Sequence, residues 1–99
     1  MQGRATREGE EVMHHVFRHK RYKVLRARSY ECGKCNFTDR TVALNPEVTG
    51  RLALDTAIHE GVHACYPDLD EPAVTEAATD IAKFLWRLGY RRKGERDAT

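Results

Sequence analysis

The stretch HEGVH, residues 59–63, sets two histidines four apart with a glutamate beside the first. On an α-helix, side chains four residues apart stand one above the other, about 5–6 Å apart at Cβ. Two imidazoles so placed can converge on one ion at zinc–nitrogen distances of about 2.0–2.1 Å. Glu60 stands about 100° round the helix from His59 but only about 60° from His63. It flanks the ion without having to bind it, which is where a general base for a zinc-activated water belongs. Three fixed letters in five also recur by chance, and two helix histidines suit ordinary polar surface. A third ligand decides between the readings.

The elements that must position these residues can be read from punctuation. Thr49 is a fitting N-cap for a helix with Leu52, Leu54, Ile58 and Val62 as apolar positions, and Pro67 stops it near Tyr66. A second helix opens at Asp70 as N-cap, with Glu71 and Pro72 in its first turn. An acid there compensates the helix dipole, the role assigned to Glu71. Val74, Ala77, Ala78, Ile81, Leu85 and Leu88, widened by Phe84 and Trp86, form its apolar stripe, and Gly89 ends it.

If the two helices run antiparallel across this short connection, axial rise ranks the candidate ligands. His63 and His59 fall about 4.5 and 10.5 Å from the loop, and Glu76 about 7.5 Å, level with the gap between them. Asp80 falls at about 13.5 Å, near the level of His59, and Glu71 at the loop itself. The arithmetic therefore gives a His₂Glu zinc site of His59, His63 and Glu76 with a water in the fourth position. Asp80 is then set to accept the outer N–H of His59 and make that ligand more basic.

Upstream, RYKVLRA reads as a strand, and VMHHVF as its partner in a hairpin turning near His19–Lys20. CGKCNFTDR reads as a loop, and RTVAL as a short strand ended by Asn45–Pro46. The expected fold is α+β: a small antiparallel sheet, then the active-site helix and a second, antiparallel helix. Residues 1–10 are expected to be disordered, 11–90 to form one domain, and 91–99 to be a basic polar tail.

With 99 residues, the chain has room for one modest core. Seventeen lysines and arginines against fifteen acids leave a net charge of +2, so overall charge does not mark a nucleic-acid binder. The basic runs RHKRYKVLRAR and RRKGER read first as solvated faces and second as grips for an anion. No apolar run approaches a membrane span, and MQGRATREGEE is no signal peptide. Three cysteines without a secretory signal fit a reducing, cytoplasmic setting.

Cys32 and Cys35 in CGKC supply half a structural zinc site, and no second pair follows. Cys65 could add a third thiolate beside His14, His15 or His19, with nothing to fix that geometry. A redox role would want the motif at a helix start. Ordinary thiols are the simpler reading.

IHEGVHACYPDLDE and the later TEAATDIA together resemble the gluzincin metallopeptidases, which carry HExxH on one helix and Glu-x-x-x-Asp on the next. The small size resembles the minimal members, the minigluzincins, and also small phage-encoded SprT-like and ImmA/IrrE-like metallopeptidases. The resemblance covers roughly residues 40–88 and is most specific over 57–82. It implies a minimal zincin-like fold with His59, His63 and Glu76 as ligands of Zn2+, Glu60 as catalytic base and Asp80 behind the ligands. It also implies that the strand before the active-site helix, here RTVALN, rims the cleft and pairs with an extended peptide. The tyrosine or histidine that steadies the oxyanion in the family has no match, and Tyr30, Tyr66, Tyr90, His14 and His15 are the candidates. In minimal members a second copy or a terminal segment covers the cleft, so a homodimer or a self-inhibited state is the corresponding expectation.

The resulting expectation is a zinc metallopeptidase acting on a peptide or protein substrate, phage-like, in the cytoplasm. The rival is a non-catalytic, zinc-stabilised module that binds nucleic acid or an acidic protein.

Overall fold

Alternation governs the first half of the chain. In KRYKVLR, Tyr22 and Val24 are buried while Arg21 and Lys23 are exposed, the period-two pattern of a strand with one covered face. The computed structural model describes residues 10–29 and 31–92. Its elements are β1 (Glu10–Phe17), β2 (Lys20–Arg26), β3 (Gly33–Asn36), β4 (Thr41–Leu44), α1 (Gly50–Cys65) and α2 (Glu71–Arg87). Apart from Glu10, the disordered start expected over 1–10 lies outside the described residues, as do Tyr30 and the tail from 93 onward.

The fold is α+β, with all four strands in one sheet of order β1-β2-β4-β3. β1 and β2 pair antiparallel, as do β3 and β4, but β4 runs parallel to β2. The sheet is therefore mixed rather than wholly antiparallel, because β4 slots between β2 and β3. Within the expected loop CGKCNFTDR, Gly33–Asn36 is instead the edge strand β3, while Cys32 is a bend and Phe37–Arg40 form a turn.

The β1–β2 turn falls at Arg18–His19, one residue before the expected place, and both residues have positive φ, 47° and 75°. Two-residue hairpin loops of this kind favour Asn-Gly, whose backbone tolerates that region. Arg18 offsets the strain through long-range contacts. Its Nη1 donates to the Cys65 carbonyl at 2.9 Å, and its guanidinium lies 4.7 Å from the centroid of the Tyr66 ring. The hairpin tip is thus tied to the C-terminus of α1, where carbonyls lack helical partners.

One face of the sheet is covered by α1. The core is Tyr22, Val42 and Ala64, with Phe17, Cys35 and Leu44 packed against it. α1 turns Thr56, Glu60 and Ala64 inward. Among the described residues α2 packs on α1 and on no strand, so α1 is the middle of three layers. The helices run antiparallel, since Glu71 meets His63 at one end of α1 while Thr79 meets Asp55 further back. Val74, Ala78 and Ala82 are the fully buried line of α2, small enough for close approach. The expected stripe is too wide: Ile81, Phe84 and Leu88 are exposed, because α2 has one neighbour and only a narrow strip of it is covered.

The punctuation is largely as expected. Thr49 occupies the N-cap of α1 but makes no capping hydrogen bond, whereas Asp70 Oδ1 accepts from the Ala73 N–H at 2.9 Å. Tyr66 caps α1 before Pro67, and Gly89 follows the C-cap of α2 with φ 99°. Among the described residues no helix is long and apolar enough to cross a membrane.

Candidate metal centre

The helix register delivers what the HEGVH spacing requires. The His59 and His63 rings lie 4.9 Å apart on one side of α1, both largely buried. Their Nε2 atoms lie 3.0 and 2.8 Å from the two oxygens of one carboxylate. That carboxylate belongs to Glu71, not to Glu76. The three donor atoms lie within 4.8 Å of one another.

The correction has a simple cause: axial level says nothing about azimuth. Val74 and Ala78 mark the line of α2 that touches α1. At 100° per residue Glu76 stands about 200° from Val74, on the far side, while Glu71 stands about 60° from it. Glu76 and Asp80 are accordingly exposed, and His59 is met by Glu71 rather than backed by Asp80. The Asp70 cap and Pro72 hold the start of α2, so Glu71 combines its place in the first turn with a reach into the histidine pair.

The group suits a divalent cation. Zinc bonds of about 2.0–2.2 Å arranged tetrahedrally separate neighbouring donors by about 3.3 Å. The 2.8 and 3.0 Å contacts run to different oxygens of the Glu71 carboxylate, so a bound ion would draw one oxygen towards both rings. Two neutral imidazoles and one carboxylate also match zinc's preference for nitrogen and oxygen donors. Glu71 keeps 62% of its side chain exposed, so the group faces solvent on that side.

Glu60 lies on the sheet side of the pair with 7% exposure. Burial pushes its carboxyl above the usual range; His59 and His63 pull it back, and Glu71 and Glu31 push it further up. The same burial, with the charge of Glu60, lifts the Cys35 thiol to about 11. A shallow depression of about 250 Å³ runs from His59 and Glu60 past Gly33, Thr56 and Thr75. Phe37 stands beside His63, ring centroids 6.4 Å apart. Nothing in the spacing of the sequence points to Phe37, because a turn delivers it.

β3 is held against Glu60 by Asn45. Its Nδ2 donates to the carbonyls of Ser29 and Glu31, and its N–H donates to the Cys32 carbonyl. Gly33 then sits so close to α1 that a Cβ there would lie 2.7 Å from Thr56 Cγ2 and 3.1 Å from Glu60 Cγ. It would also lie 3.2 Å from the Ala43 carbonyl oxygen. A β-branched side chain and a backbone oxygen yield little. Gly33→Ala is therefore expected to cost roughly 1–3 kcal/mol, as overpacking does. Urea unfolding of both proteins checks this; equal midpoints would show that the strand moves aside freely.

The oxyanion candidates are dispersed. Tyr66 lies under Arg18, His15 packs edge-on against Phe17, and Tyr90 lines a groove beyond the far end of α2. That groove, about 460 Å³ and apolar, runs between Val48, Ala53, Leu85 and Trp86. It is the larger hollow but contains none of the three converging residues, sharing only Cys32 and Thr56 with the depression beside them. Cys32 and Cys35, three apart along an extended segment, point to opposite faces. Cys32 is exposed and Cys35 packs on the core, and no cysteine joins a metal-holding group among the described residues.

No protein-family model matches the chain, and no curated protein or solved structure matches it either.

Proposed function

We propose that the chain is a zinc-dependent peptidase in which His59, His63 and Glu71 hold the metal and Glu60 is the catalytic base. The observation that carries this reading is the convergence of three donors from two helices beside a buried, otherwise uncommitted glutamate. A zinc ion held there would polarise a peptide carbonyl and acidify its water. Glu60 would take the proton from the attacking water and return it to the departing amine. Burial raises the Glu60 carboxyl above its usual range, the direction that suits a group which must take up a proton. Glu71 replaces Glu76 in this proposal, and Asp80 has no part in it.

The substrate is an extended peptide. β4 is paired on both sides and has no free edge; the edge strands are β1 and β3, and Gly33 of β3 lies close against Thr56 and Glu60. A peptide adding to that edge would run past the metal group, with backbone hydrogen bonds supplying affinity. A reducing, cytoplasmic setting agrees with three free cysteines.

The test begins with metal content. Protein purified without chelator is expected to carry one equivalent of zinc and to cleave a mixed peptide library. Chelation should remove both and zinc should restore both. His59→Ala/His63→Ala is expected to lose metal and hydrolysis together, and cleavage that persists in it would end the proposal.

A second reading has one observation in its favour. The uncovered face of the sheet presents Arg21, Lys23 and Lys34, a basic surface for nucleic acid or an acidic protein. Zinc in a stable chain that cleaves nothing, with salt-sensitive binding to DNA lost in Arg21→Glu/Lys23→Glu, would select it.

A further inference from the structure

α2 turns an apolar line to solvent. Ala77, Ile81, Phe84 and Leu88 follow one another at spacings of four, three and four, the seam of a helix that packs on another helix. Ile81 is 42% exposed, Phe84 60% and Leu88 59%, and no described element covers them. Along the flank of this seam away from α1 stand Glu76, Asp80, Lys83 and Arg87, all exposed. None of the four makes an ion pair among the described residues. Asp80, Lys83, Phe84, Arg87 and Leu88 frame an open depression there.

We propose that this face is the interface of a homodimer in which α2 packs antiparallel against its own copy. In a two-fold pair of antiparallel helices, each flank meets the same flank of the other molecule. The seam is then matched with itself when Ile81 faces the partner's Phe84 and Ala77 faces the partner's Leu88. The axis passes between positions 82 and 83. Asp80 then lies between the levels of the partner's Lys83 and the partner's Arg87, about 3 Å from each along the helix. Glu76 lies a similar distance, about 3 Å, from the level of the partner's Arg87.

Two acids followed by two bases on one flank are self-complementary only in this orientation. A parallel copy related by a two-fold axis would carry the charged flanks to opposite sides of the pair, where they could not meet. The helix dipole also favours acids early and bases late. It does not require an apolar seam beside them, nor that seam and charges share a centre to within about one residue. An unrelated partner would need no such self-matching order.

Sedimentation of the full chain from micromolar to millimolar concentration tests this. The expected result is a monomer–dimer equilibrium. Phe84→Ser should weaken it by about 30-fold or more, as truncating a central aromatic anchor does. Arg87→Asp and Asp80→Arg should each weaken it about fivefold, and reversing all four charges together (Glu76→Arg, Asp80→Arg, Lys83→Asp, Arg87→Asp) should regain the wild-type constant. Phe84 and Arg87 are exposed, so Phe84→Ser and Arg87→Asp are expected to melt like the parent and to keep its zinc content. A chain that stays monomeric throughout overturns the proposal. So does a dimer indifferent to Phe84→Ser, or a fourfold charge-reversed variant no tighter than the single ones.

Discussion

Glu71→Ala is expected to cost the chain its zinc, while Glu76→Ala leaves a full equivalent bound. The two glutamates lie on the same helix five residues apart, and only the first reaches the imidazoles. Removing Glu71 takes away the one anionic donor of the group and leaves two neutral rings. The loss should exceed the 10- to 100-fold typical of residues that merely steady a ligand. Competition with a chromophoric chelator measures both variants. Binding free energy also feeds into folding, so the zinc-dependent gain in melting temperature should vanish in Glu71→Ala and persist in Glu76→Ala. The opposite pattern would mean that axial level, not azimuth, chooses the ligand.

Glu60→Gln should separate binding from chemistry. The amide has nearly the shape of the carboxylate, so zinc content is expected to stay at the parent level. Hydrolysis should fall by about 10²–10⁴, the usual contribution of a positioned acid–base group. Stability provides a control. Burial disfavours the charge of Glu60 at 7% exposure, and a neutral side chain removes that cost. The metal-free variant should therefore melt at or above the parent temperature, which excludes unfolding as the cause of lost activity. Substantial turnover in zinc-loaded Glu60→Gln would remove Glu60 from the mechanism.

Much of this arrangement is readable in the letters, for local reasons. Asp70, Pro72, Pro67 and Gly89 bound the helices because caps and breakers act within a few residues. The HEGVH pair follows from helical pitch alone. Long-range choices are less legible. That β4 inserts beside β2, making the sheet mixed, depends on pairing between segments about twenty residues apart. CGKC hides as a strand because its glycine answers to the crowding of Thr56 rather than to local propensity.

The place of Glu71 beside the two histidines is masked by its local role. An acid in the first turn of a helix has a sufficient local role, and that role obscured a distant one. Taking Val74 and Ala78 as the contact line would have kept Glu71 and excluded Glu76. The Arg18–His19 turn is harder to read from the letters, since neither residue advertises a positive φ and its compensation comes from Cys65 and Tyr66.

Among the described residues the outermost helix touches only the one beneath it, so in the proposed site the ion's affinity would depend on how that helix is seated. One of the three proposed donors rides on a layer held to the rest by the contact between two helices. The apparent dissociation constant is then the intrinsic one divided by the fraction of molecules with that layer seated. Substitutions at Val74 or Ala78, which touch no donor, would act as a dial on metal occupancy. Saturating ion would in turn fasten α2 to α1.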